Sequence, residues 1–141
     1  MIASWQESKW LVLSSLFFLV PSFYAYCKGL YVNSTILLCT SLASVNFWRE
    51  ATFSWRRNVD LVVAKIAFAI FFTQGCCYVV TCRYIGLTGV AAIGYCYYRS
   101  QTYHAQNNGL WLRHHLCFHA ILTAEMILII HDTAKTSKRL L

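Results

Sequence analysis

The chain has 141 residues, 58% hydrophobic and only 12% charged, about half the ~25% charge of a soluble domain. That balance excludes an ordinary water-soluble domain and predicts one all-α transmembrane bundle over residues 1–141, with about five spans of ~20 residues each. The formal net charge of +7 would suit nucleic acid, but Lys and Arg stand at the ends of apolar runs, where their heads snorkel to the interface. The expected partners are therefore the lipid bilayer, anionic headgroups included, and other membrane-protein subunits, with no nucleic acid.

The first apolar run covers 10–26 after a polar lead from Met1 to Lys9. Its short apolar core resembles a signal peptide, but Phe23, Tyr24 and Tyr26 spoil a cleavage region. It reads as a retained span kinked near Pro21. Lys28-Gly29 turns the chain into a second run, 30–48, whose Asn33, Ser41 and Ser44 suit close helix packing. A polar connection with Arg49, Arg56 and Arg57 leads to Asp60, at the start of a third run, 61–81. Asp60 complements a helix N-terminus and is spaced to pair with Arg56. At about 100° per residue, Gln74 returns to the Asp60 face, while Lys65 points away to an interface. The fourth run, 84–103, is expected to continue past Arg99, because an apolar stretch ending there is too short for the bilayer. Gln106-Asn107-Asn108-Gly109 signals a turn, and the fifth run covers 110–131. An odd number of spans puts the termini on opposite sides. The shared loop of Arg49, Arg56 and Arg57 favours a cytoplasmic N-terminus. The seven cysteines, mostly within apolar runs, read as small buried residues.

All five histidines fall between His104 and His131. His115 and His119 are four apart, so their imidazoles lie within ~40° on one helix face and can share a metal such as zinc. A catalytic zinc needs a third ligand, for which Asp60 and His104 are the candidates. The competing reading makes these histidines interhelical hydrogen-bonding groups. His114, Glu125 and Asp132 form a second stripe, spaced as an intramembrane proton or ion site. The alternative is a Glu125 bonded to a hydroxyl or amide of another helix.

Ser44, Asp60 and His115/His119, in that order, resemble the CREST superfamily of intramembrane hydrolases, which includes alkaline ceramidases and adiponectin-type receptors. The resemblance implies a zinc-bound water held by the histidines and Asp60, Ser44 and Asp60 as catalytic-site residues, and a lipid substrate. The family has a further histidine after its helix-two serine, where this chain has Phe47 and Trp48. A fainter resemblance joins His104, Asn108-Gly109 and Arg113-His114 to the succinate dehydrogenase membrane anchors, implying haem or quinone. The segments 44–49 and 55–60 also look like motifs of small multi-pass membrane proteins and imply no activity. Three functions follow: a non-enzymatic membrane or complex subunit, which the residues favour; a zinc-dependent lipid hydrolase; and a haem or quinone anchor.

Overall fold

A computed structural model describes residues 2–78 and 83–137. These form an all-α bundle: α1 (Trp5–Leu16), α2 (Leu19–Cys27), α3 (Tyr31–Trp48), α4 (Trp55–Tyr78), α5 (Arg83–Ala105) and α6 (Leu110–Ser137). Among the described residues, three stretches are long and apolar enough to cross a membrane: Trp5–Cys27, Trp55–Cys77 and Leu110–Ser137. The 18-residue α3 carries two Asn and five Ser or Thr, which lower its apolar content. The end of the third run at Thr81, Cys82 and the basic Lys138 and Arg139 lie outside the described residues.

Helices α1 and α2 are two halves of one broken rod. Pro21 has no N–H, so the Phe17 carbonyl lacks its usual partner four residues on. The Val20 N–H takes that carbonyl instead, at 3.1 Å, and the break falls at Phe17–Phe18, a turn before the proline. Gly29, at φ +75°, ends α2 in the left-handed conformation, and the Leu30 N–H returns to the Ala25 carbonyl at 2.9 Å. Asn107 plays the corresponding part after α5, at φ +52°.

Two helices begin earlier than the apolar pattern predicts. α1 starts at Trp5 inside the polar lead, because Glu7 accepts from the Ser4 N–H at 3.0 Å and from its hydroxyl at 2.7 Å, a capping arrangement. α4 starts at Trp55, so Arg56 already lies in its first turn. Arg56 pairs with Glu50 of the preceding connection, not with Asp60. Lys65 is exposed.

The packing is centred on α6, which touches α1, α2, α4 and α5, while α3 touches α1, α2 and α4. Among the described residues, the backbones of α4 and α5 rarely come close. The outer surface is apolar, with Phe17, Phe23, Val32, Leu42 and Val62 exposed, whereas Ser15, Asn33, Ser41, Ser44 and Ser100 are buried. Five of the cysteines follow that inversion. Cys27, Cys39, Cys76, Cys77 and Cys117 are exposed, and Cys96 is buried, which corrects the expectation of buried thiols. An apolar thiol loses nothing on a face that meets hydrocarbon.

Helices α3 and α4 are joined by a reciprocal amide pair. Asn33 Nδ2 donates to Gln74 Oε1 at 2.6 Å, and Gln74 Nε2 donates to Asn33 Oδ1 at 3.2 Å. Gln74 thus faces the interior, as its angular position requires. Replacing Gln74 by Leu leaves the Asn33 amide unpaired, and the bundle should lose on the order of 1 kcal/mol in a steric-trapping unfolding assay. The double variant Asn33→Leu/Gln74→Leu should recover part of that loss, since no polar group is left without a partner.

Candidate functional site

Ser44, Asp60, His104, His115 and His119 come from four helices and line one cavity of about 390 Å³. α3 supplies Ser44 and Trp48. α4 supplies Arg57, Asp60, Ala64 and Phe68. α5 supplies Ser100, Gln101 and His104, and α6 supplies the two paired histidines. The four-residue spacing of His115 and His119 keeps their ring centroids 4.9 Å apart. Asp60 sits in the second turn of α4, half-buried, and the Ser44 side chain is its hydrogen-bonding neighbour.

Each histidine of the pair is tied to another helix through Nδ1. His119 Nδ1 lies 2.8 Å from the Ser14 hydroxyl of α1, and its ring leans on Phe18 at 5.2 Å. His115 Nδ1 lies 3.3 Å from the Ser100 hydroxyl of α5, with the Trp48 ring edge-on at 5.2 Å. The Ser100 hydroxyl can donate to Nδ1 or accept from it, so this bond ties α6 to α5 in either tautomer of the ring.

His104 closes one end of the cavity. Its Nε2 donates to the Ile2 carbonyl at 2.9 Å, while the Ile2 N–H donates to the Ala51 carbonyl at 2.7 Å. The N-terminal lead is thereby drawn across the polar mouth, and Ile2 itself is part of the lining. Trp111 meets His104 edge-on at 5.0 Å, and its indole N–H reaches Glu7 at 3.4 Å.

A zinc centre asks more of these residues than the geometry supplies. Among the described residues, no group of three His, Cys, Asp or Glu side chains is placed to hold a metal. The Nδ1 atoms of His115 and His119 are held by serines, and His104 is held by a backbone carbonyl.

The second stripe does not gather into one site. His114 packs on Tyr95 and Tyr103 of α5, with ring centroids 6.2 and 5.3 Å away. Glu125 also faces α5, but eleven residues of helix separate the two by about 16 Å. Asp132 is half-buried a further two turns on. Glu125 is buried against Gly89, where a Cβ would overlap its carboxyl group and lie 2.9 Å from Cγ. His131 lies at the far end, with Nδ1 3.1 Å from the Tyr24 hydroxyl.

The sequence pattern marks the histidines and Asp60 but misses Ser14, Ser100, Arg57 and Gln101. Serines in helix interiors were the available signal, since a hydroxyl inside a membrane helix needs a partner. Their partners depend on which helices adjoin, which periodicity does not encode. No family model, curated protein or solved structure matches the chain.

The Gly89–Glu125 contact has a direct test. Gly89→Ala should lower stability by about 1–3 kcal/mol through overpacking, read by thermal unfolding in detergent. Glu125→Ala in the same background should restore most of the loss, because it removes the group that the new methyl meets.

Proposed function

We propose that the chain is a multi-pass, five-span integral membrane protein that acts without catalysis, holding a lipid-soluble small molecule in the cavity among α3, α4, α5 and α6. One observation carries this reading: the reactive-looking side chains are engaged in structural hydrogen bonds around a cavity of ligand size. A volume of about 390 Å³ falls in the ~300–1,000 Å³ range of small-molecule sites. Its walls combine apolar and aromatic side chains with a few convergent polar groups, the composition expected of such a site.

A second reading, the zinc-dependent lipid hydrolase, draws support from the meeting of Ser44, Asp60, His115 and His119 in that one cavity. It requires Asp60 or His104 to leave its present neighbours and join the paired imidazoles.

Two measurements test the proposal, the first its five crossings and the second its ligand against the hydrolase reading. Tags at the two termini should show opposite accessibility in sealed vesicles, and same-side accessibility would rule out five crossings. An organic extract of the detergent-purified protein should contain a bound small lipid, with no stoichiometric zinc in the protein. One zinc per chain, lost on His115→Ala or His119→Ala, would instead establish the hydrolase reading.

A further inference from the structure

The cavity is partly roofed at its polar end, beside the exposed Phe53 and Gln101, and has a second opening on its lateral, apolar side. The lead residues Ile2 to Ser4 cross its polar end, held by the Ala51 and His104 contacts. On the lateral side, α4 and α5 each contribute wall residues, but among the described residues their backbones rarely come close. α4 does approach α6 beyond the cavity, at Gly75, where a Cβ would lie 3.5 Å from Ile129. The opening is therefore a slot between α4 and α5, alongside Ala64 and Phe68, which are exposed although they line the cavity. A ligand using that route arrives dissolved in hydrocarbon.

The walls define what the ligand carries. Eight of the 24 lining residues are Phe, Tyr or Trp, twice the 16% share of the whole chain. Rings stack offset or edge-on with flat partners, so this wall suits a flat ring better than a flexible chain. Among the described lining residues, Arg57 and Asp60 are the only Lys, Arg, Asp or Glu, and they stand one turn apart with opposite charge. A charged headgroup would enter a low-dielectric site with no net compensating charge, which is costly. An uncharged group with oxygen atoms meets donors instead, the Arg57 guanidinium and the Gln101 amide, with the His115 ring beside them. Along α4 the lining runs from Arg57 to Phe68, eleven residues or about 16 Å, polar at the Arg57 end and apolar at the other. A two-chain phospholipid is too large for this space.

We infer that the cavity takes an uncharged, flat-ringed lipid bearing ring oxygens, entering between α4 and α5 with its ring at the Arg57–His115 end and its apolar tail toward Phe68 and the slot. This rests on the ligand-holding reading above and names the class of ligand. Two sources share that chemistry, a prenylated quinone and a sterol, and the test separates them.

The full chain is placed in phosphatidylcholine nanodiscs in a Trp5→Phe/Trp10→Phe/Trp55→Phe background, so that emission comes from Trp48 and Trp111 in the lining. Three lipids are titrated: a decyl-tailed benzoquinone read by quenching, dehydroergosterol read by energy transfer, and oleate read by its displacement of a fluorescent fatty acid. Saturable binding of the quinone or the sterol is expected, and whichever binds identifies the source. Ala64→Phe, which narrows the slot from its exposed side, should weaken that binding at least tenfold. Ala64→Leu should weaken it less, with circular dichroism confirming the helical fold of both. Saturable oleate binding without either ring lipid would overturn the ligand class and leave the cavity reading standing. Ring-lipid binding unchanged by both Ala64 variants would also overturn the inference, because the site would lie elsewhere. Saturable binding of none of the three, with an organic extract free of lipid ligand, would overturn the cavity reading as well.

Discussion

A polar side chain inside a bilayer has no water to turn to, so its partner must come from another part of the protein. The arrangement of this bundle follows from that requirement. Ser41 of α3 donates to the Ser15 carbonyl of α1 at 3.0 Å, and Ser22 of α2 donates to the Ser34 carbonyl of α3 at 2.8 Å. Asn33 and Gln74 join α3 to α4. Ser14–His119, Tyr24–His131 and Ser100–His115 join α6 to α1, α2 and α5. Each bond is modest, on the order of 0.6 kcal/mol. Their distribution matters more than their sum, because each fixes which face of a helix turns inward.

The pair α4 and α6 has no such side-chain bond among the described contacts, and the cavity opens beside it. Near Gly75 the two helices are close enough for small-residue packing, while farther toward Asp60 they are separated by the lining. The missing stitch and the cavity are two aspects of one arrangement: α4 is fixed by α3 and leans on α6 at one end only. The polar groups left along the gap, Asp60, Arg57 and the rings of His115 and His119, have the cavity as their remaining neighbour.

Much of this was legible from apolar runs and turn residues. The all-α class, the rods, the kink caused by Pro21 and the continuation of the fourth run through Arg99 all rest on local chemistry. The inward position of Gln74 follows from counting 100° steps, and the meeting of His115 with His119 follows from their spacing. Helix starts were less legible, because Ser4 and Trp55 lie in polar surroundings where capping, not hydropathy, sets the boundary. The cysteines misled because burial preferences learned from water invert when the outer solvent is hydrocarbon. The serine partners of the histidines were illegible in principle: a hydroxyl announces the need for a partner and does not say which helix will supply it.

The hydrogen bonds that hold the bundle also orient the site, so the two cannot be altered independently. Ser100 engages Nδ1 of His115, and in either tautomer the two ring nitrogens act as a pair, so a hydrogen bond made at one changes the strength of the bond at the other. In the tautomer where Ser100 donates to Nδ1, an oxygen accepting from the Nε2–H leaves more electron density on the ring and makes Nδ1 a better acceptor, so the two bonds reinforce each other and a ligand oxygen there would tighten the α5–α6 stitch. The same coupling holds at His119 in the tautomer where Ser14 gives its proton to the Leu11 carbonyl, 3.1 Å away. The ring then donates from Nδ1 and presents a lone pair at Nε2, and a ligand hydroxyl donating to that nitrogen makes the Nδ1–H a better donor to Ser14, a cooperative chain. A group that hydrogen-bonds to either imidazole from the cavity would thus strengthen the seam behind that ring, α6 with α5 through Ser100 and α6 with α1 through Ser14, so occupancy of the site and packing of the bundle are coupled with one sign.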